Sequence, residues 1–303
     1  MNGDCNKLSY NYKNGIVIFG EPRSGTTWLT EMLCLIQGTI VNWEPLHPNR
    51  GVVPISFKWG YRPFLTEDNT DVSYVKFMED VFSLQVGNDW TRQQELWHEL
   101  SGDSVVITKL VHANLLLPWI LKNMGLFRKP ILIVRHPIDT CISQIRNFSS
   151  RHDSTYEVPD YVNKELFLDH KAFIDNLSTP LERKIALWCM NNIPTLNHQC
   201  INDEVVVVFY ENLVLNTNAE MSRVFENLGV ENVPDNIDRF VDIRKPSSSD
   251  FRGGYVRDPH KQLEKNFKSI NHDTRKRIQR IFDYFEFALY TSGFPHPKWN
   301  LTS

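Results

Sequence analysis

Four short apolar runs punctuate the chain, at residues 15–20 (GIVIFG), 104–108 (SVVIT), 130–134 (PILIV) and 204–209 (EVVVVF). Each is rich in β-branched residues and continuous rather than alternating, the pattern of a parallel strand covered on both faces. Helical periodicity fills the intervals. Leu29, Met32, Leu33 and Ile36 recur at i, i+3, i+4 and i+7, with Gly38 placed as a C-terminal cap. Similar patterns predict helices over 74–86, 115–124, 137–148, 181–200 and 271–290. Strand followed by helix, repeated, predicts an α/β fold: an open parallel β-sheet flanked by helices and joined by right-handed crossovers. Segments 45–70, 149–162 and 243–268 resist regular assignment, and long loops in compact domains are usually functional or mobile. No repeat or linker divides the chain, so residues 1–303 read as a single domain.

Composition narrows the partners. The 303 residues can bury a large core, and a net charge of −3 gives no support to nucleic acid or an anionic membrane as a whole-chain partner. The five cysteines (Cys5, Cys34, Cys141, Cys189, Cys200) are irregularly spaced and form no Cys/His ladder, so no metal site is expected. Cys34 and Cys189 lie in apolar helical patterns and read as buried thiols of a reducing compartment. The first fifteen residues are polar, without a signal-peptide pattern, and no apolar run is long enough to span a bilayer. The expectation is a cytoplasmic protein of undetermined oligomeric state.

The first strand runs directly into Gly20-Glu21-Pro22-Arg23-Ser24-Gly25-Thr26-Thr27 and then a helix. Glycine spacing matches the nucleoside-triphosphate loop G-x-x-x-x-G-K-[ST], but Thr26 stands where the lysine belongs. Gly25 lets the backbone approach a ligand, successive amides can converge on an anion, and the helix N-terminus adds its dipole. Lys109 and Arg135 follow two of the predicted strands, where an aspartate could have held magnesium. The loop is suited to a phosphate bound without a metal ion. A nucleotide kinase or other NTPase, and a catalytically silent nucleotide-binding protein, are the alternatives that share the loop.

These motifs resemble the sulfotransferase family that uses 3′-phosphoadenosine 5′-phosphosulfate (PAPS) as donor and releases 3′-phosphoadenosine 5′-phosphate (PAP). Pro22 to Leu29 looks like that family's 5′-phosphosulfate loop, which implies that Arg23, Ser24, Gly25, Thr26 and Thr27 hold the donor. The run from Ile133 through Arg135 to Ser143 looks like its 3′-phosphate motif, an arginine at a strand end and a serine eight positions later. The chemistry agrees: Arg135 offers a planar fork of donors, and Ser143, about two helical turns on, faces the same side. The run Val208 to Leu213 resembles the family's Tyr-Glu-Asp-Leu segment, which implies that Tyr210 lies near the adenine. Trp28 either stacks on that adenine or belongs to the core. Arg252, in Phe251-Arg252-Gly253-Gly254, is the nearest equivalent of the family's late 3′-phosphate arginine. Arginine at position 23 is closer to carbohydrate-type and bacterial members than to the cytosolic animal branch, which has lysine there.

The resemblance implies in-line sulfuryl transfer to a hydroxyl or amine of a small-molecule acceptor, with no metal required. Arg23 and Lys109 are the candidates to stabilise charge on the leaving nucleotide, with hydroxyls and amides from Thr26 and Thr27. Two residues compete to be the base. Glu44, in Trp43-Glu44-Pro45-Leu46-His47, resembles a Glu-Pro-Leu segment of carbohydrate and some bacterial members, and is favoured. His112 falls one residue later than the histidine base of the cytosolic branch. A structural role for Glu44, pairing with Arg23 or another cation, stands beside the catalytic one. His47 reads as a loop residue near the acceptor, His136 and His170 as structural or solvated, and Phe57 and Trp59 as core.

Overall fold

The computed structural model describes residues 10–92, 104–148, 164–230 and 256–298, excepting the side chains of 164–166. Five parallel strands form one sheet: β1 (Ile16–Gly20), β2 (Thr39–Trp43), β3 (Val105–Val111), β4 (Ile131–Val134) and β5 (Val206–Phe209), in the order β2-β3-β1-β4-β5. β1 is central, pairing Gly20 with Val111 of β3 and with Ile133 of β4. The chain order reverses around β1, so the crevice beyond its carboxyl end is the place where open α/β sheets bind ligands.

Side chains of successive strand residues point to opposite faces, and both faces are apolar. One face presents Val17, Phe19, Leu110, Leu132, Val134, Val207 and Phe209. Against it lie α2 (Val72–Phe82), α3 (Leu117–Met124), α4 (Pro137–Phe148), α5 (Lys164–Asp175), α6 (Pro180–Leu196), α7 (Cys200–Asp203) and α11 (His272–Tyr284), all of which contribute to that core. The other presents Ile16, Ile18, Ile107, Ile131, Ile133, Val206 and Val208, covered by α1 (Thr26–Leu33), α8 (Tyr210–Leu215), α9 (Thr217–Asn227) and α10 (Pro259–Glu264). This is the expected α/β layering.

Several expectations need correction. The fifth strand, β2, was not expected: Asn42 interrupts its apolar pattern, yet all five residues are buried, and the Asn42 amide is satisfied by donating to the Val81 carbonyl at 2.9 Å. β3 does not stop at Thr108 but runs through the buried Lys109 to Val111. The helix expected over 74–86 spans Val72–Phe82, started by Asp71, whose carboxylate accepts from the Ser73 amide. The helix expected over 181–200 ends at Leu196, and α7 begins separately at Cys200. The helix expected to reach 290 ends at Tyr284, after which Phe287 and Tyr290 fold back into the core. α10 lies inside a stretch expected to be irregular. Cys189 is buried as expected, whereas Cys34 caps α1 and is half-buried. Trp59 is core and Phe57 packs against it. The segment 149–162 and Arg252 lie outside the described residues.

Candidate functional site

The site residues expected from sequence, Arg252 apart, gather toward the carboxyl edge of the sheet: Lys109 within β3, Ser143 on the second turn of α4, and the others in the loops or first turns after the strands. After β1, the backbone turns at Glu21–Ser24 and enters the left-handed region at Arg23 (φ 70°) and Gly25 (φ 104°). At Gly25 a side chain is excluded: a Cβ would lie 2.6 Å from Tyr210 Cδ2. α1 follows at once. Its first intrahelical bond runs from the Leu29 amide to the Gly25 carbonyl at 3.0 Å, so the amides of Thr26, Thr27 and Trp28 have no partner within the helix. They are available to an anion.

The 3′-phosphate motif stands against this loop. Arg23 Nε donates to Ser143 Oγ at 3.1 Å, and Arg135 Nη1 donates to the Arg23 carbonyl at 3.0 Å. The Arg135 guanidinium lies over the Tyr210 ring, 4.2 Å from its centroid, and the Tyr210 hydroxyl accepts from Gln262 at 3.2 Å. Trp28 meets Tyr210 edge-on at 6.1 Å and also packs into the α1 face of the core. Three buried polar atoms along this wall, Ser24 Oγ, Trp28 Nε1 and Arg135 Nε, have no hydrogen-bond partner. Buried donors are normally satisfied, and donors left open beside a phosphate loop fit a polar ligand. The wall therefore offers open polar atoms and a cation to a polar, anionic ligand.

Beneath Arg135 the structure is sealed. Glu211 accepts from the His136 amide at 2.9 Å and the Tyr290 hydroxyl at 2.8 Å. Burial pushes its carboxyl up to about 7. His136 is fully buried, with Nδ1 accepting from the Ile138 amide and Nε2 donating to the Thr291 carbonyl, which makes it structural. His170 pairs with the Tyr284 hydroxyl on the surface.

On the other side of β1, Lys109 is the hub. Its ammonium is 2% exposed, donates to Thr27 Oγ1 at 3.0 Å and to Glu44 Oε1 at 2.8 Å, and stands 3.5 Å from the Trp43 ring centroid. Burial pulls the ammonium below its usual range, with the Glu44 carboxylate pulling the other way. The cation paired with Glu44 is thus Lys109. Glu44 takes a left-handed backbone (φ 42°), as does His112 (φ 75°). Non-glycine residues held there cost about 1–3 kcal/mol each, and such strain clusters at functional sites.

His112 is reached by a chain that the sequence did not announce. Glu21, 3% exposed, accepts from Arg62 Nη2 at 2.8 Å, from Asn192 at 3.4 Å and from Gln144 at 3.5 Å. Arg62 Nη1 in turn donates to His112 Nδ1. Arginine has no acceptor to offer, so this bond puts the His112 proton on Nε2. Burial, then the Arg62 charge, holds His112 well below the ordinary imidazole range. His47 stacks edge-on with Tyr61, Trp90 and His112. Beside this chain opens a cavity of about 160 Å³, walled by Glu21 and Pro22 of the loop, His112, Arg62, Lys184 and Trp188 among others. His112 lines it; Glu44 does not. Arg62 and Lys184 carried no sequence signal, one lying in an irregular segment and the other on a helix face.

A parallel α/β sheet with a glycine-containing loop and helix N-terminus after its central strand places an anion-suited edge where open α/β sheets bind ligands. The match to the family model described as "Sulfotransferase family" extends over residues 15–235, and the chain belongs to that family. One solved structure supports the fold, and others are similar to the chain. Mouse sulfotransferase SULT7A1 complexed with PAP is 15% identical, covering 91% of this chain and 85% of its own, with a TM-score of 0.50. The sulfotransferase domain from the curacin biosynthetic pathway is 16% identical, covering 90% and 98%, with a TM-score of 0.47. Sulfotransferase STF9 from Mycobacterium avium is 13% identical, covering 95% and 80%, with a TM-score of 0.47. No curated protein sequence matches the chain. Among the described residues no helix is long and apolar enough to cross a membrane, and no group of three or more His, Cys, Asp or Glu side chains could hold a metal ion.

Proposed function

We propose that this protein transfers a sulfuryl group from PAPS to a hydroxyl or amine of a small-molecule acceptor, by in-line displacement and without a metal. The observation that carries the reading is the junction at Arg23, where the amide-rich loop touches Arg135 through its carbonyl and Ser143 through its side chain. One ligand spanning that junction has a phosphosulfate at the α1 amides and a ribose phosphate at Arg135 and Ser143. The solved mouse relative contains PAP, which is consistent with this donor.

The donor supplies a sulfur bonded to a phosphate oxygen. The acceptor forms a new bond to that sulfur as the bridging S–O bond breaks, and the nucleotide leaves with the electron pair. Lys109, fixed by Thr27 and Glu44, and Arg23 provide positive charge toward the leaving group, in a setting dry enough for that charge to act strongly. Glu44 takes the acceptor proton. The Arg62 bond leaves His112 with its proton on Nε2, so it donates toward the acceptor and orients it. A second reading makes His112 the base, which its place in the cavity wall favours; it requires the Arg62 bond to open so that a ring nitrogen is free to accept the proton. The protein acts as a cytoplasmic single-domain enzyme on a soluble acceptor, with neither nucleic acid nor membrane as partner.

The test is transfer of labelled sulfate from PAPS to a panel of phenols, alcohols and amines. Labelled product together with released PAP is expected, unchanged by chelator. Phosphoryl transfer from ATP and magnesium, with no sulfated product from any acceptor, would overturn the proposal.

A further inference from the structure

The cavity beside the phosphate loop carries more charge information than its role as an acceptor pocket requires. Of its cationic residues, Arg62 is neutralised by Glu21 at 2.8 Å, and His112 is held neutral by burial. Lys184 differs. It is half-buried on α6, lines the cavity, and has no carboxylate partner among the described residues. Its own helix offers none, because the positions three and four residues away are Pro180, Leu181, Leu187 and Trp188. The nearest acid in sequence, Glu182, accepts from Arg277 at 2.8 Å and from the Ser178 amide at 3.1 Å. The opposing helix α4 contributes Gln144, whose amide is already committed to the Pro22 carbonyl at 2.9 Å. The ammonium therefore stands in a cavity lined on α4 and α6 by Gln144, Phe148, Leu187, Trp188 and Asn191, with no carboxylate partner among the described residues.

We propose that the acceptor received by this cavity carries an anionic group that pairs with Lys184. This rests on the reading of the cavity as the acceptor side of a sulfotransferase. A half-buried cation beside Phe148, Leu187 and Trp188 binds an anion more strongly than it would in open water, since those apolar side chains reduce the competition from solvent. The volume sets the bulk. An enclosed cavity on the order of 150 Å³ lodges a benzene ring, so the part of the acceptor seated inside this open cavity is about one ring in size. The ligand class is an alcohol, phenol or amine bearing a carboxylate or similar anion. The neutral Nε2–H of His112 and the loop at Glu21–Pro22 lie in the same cavity wall as Lys184. The anion seated at Lys184 thereby directs the opposite, nucleophilic end toward the loop.

The experiment measures Kd by calorimetry for matched acceptor pairs on the full chain saturated with PAP. Suitable pairs are 4-hydroxyphenylacetate against its amide, and 3-hydroxybutyrate against its amide. Wild type is expected to bind at least one anion about tenfold more tightly than its neutral partner, as a charge-assisted contact implies. In Lys184→Gln, folded by its Tm, that ratio is expected to fall to near one and to lose its salt dependence. A panel in which no anion outbinds its amide, or a ratio unchanged in Lys184→Gln, overturns the proposal. Sulfate transfer to the same compounds is a separate readout. Its absence with the binding ratio intact would count against the transferase reading and leave the anion site standing.

Discussion

Arg23 Nε meets Ser143 Oγ at 3.1 Å, joining the loop after β1 to the helix after β4 across 120 positions of sequence. Neither residue has an apolar reason to be there. The contact places the Arg23 cation beside the Ser143 hydroxyl, as the proposed donor site requires, and the structure around it leads to the following measurable consequences.

Lys109 and Glu44 should depend on each other. Lys109→Met leaves the mostly buried Glu44 carboxylate without its cation, and breaking a buried pair costs about 3 kcal/mol. Urea unfolding should show that loss in the single variant and recover part of it in Lys109→Met/Glu44→Gln. A double variant as destabilised as the sum of the two single variants would show that the pair is not coupled.

The base assignment separates in kinetics. Glu44→Gln should lower kcat by about 10²-fold or more, the scale of general base catalysis, while PAP affinity survives. His112→Gln should cost less, with a larger share in acceptor KM. The opposite ranking gives the proton to His112.

Gly25 is the least replaceable residue of the loop. Its φ of 104° and the Tyr210 ring, 2.6 Å from where a Cβ would stand, leave no room for a methyl group. Gly25→Ala should destabilise the protein by about 1–3 kcal/mol. It should also weaken PAP binding, because Tyr210 is the platform under Arg135. Ser24→Ala at the neighbouring position should preserve stability to within about 1 kcal/mol.

The buried layer beneath Arg135 gives an acid-sensitive stability. Burial lowers the His136 imidazole from 6.5 to about 3, so between those values the unfolded chain takes up a proton that the folded chain refuses. The contribution of His136 is complete above pH 6.5 and is lost as pH falls, by up to about 1.4 kcal/mol per pH unit. Glu211 has the opposite sign. Its carboxyl, raised from 4.5 to about 7, contributes below pH 4.5 and loses that contribution as pH rises through 7. Denaturation of wild type against His136→Gln cancels the Glu211 share. The advantage of wild type should shrink from pH 6.5 downward; a constant difference would refute the assignment.

What the sequence disclosed follows a physical rule. Strands buried on both faces write themselves as continuous apolar runs, so β1, β4 and β5 were legible, as was the first part of β3. β2 was hidden because Asn42 is satisfied by the distant Val81 carbonyl, and the end of β3 because Lys109 is satisfied by Glu44 and Thr27. Both satisfactions are tertiary. The phosphate loop and the Arg135–Ser143 spacing were legible because each is a local device, fixed by a turn or a helix repeat. Arg62 and Lys184 were not, because their meaning comes from which side chains face them across the cavity. Glu21 stood in plain view inside the loop, yet its role as the carboxylate that holds Arg62 on His112 needed residue 62 to fold back.

The most direct test compares PAP with adenosine 5′-phosphate, which lacks the ribose 3′-phosphate, on wild type, Arg135→Ala and Ser143→Ala by calorimetry. Wild type should favour PAP, and each substitution should erase most of that preference, about tenfold or more for the arginine, while adenosine 5′-phosphate binding changes little. Equal losses for both nucleotides would remove Arg135 and Ser143 from the 3′-phosphate and contradict the assigned donor site.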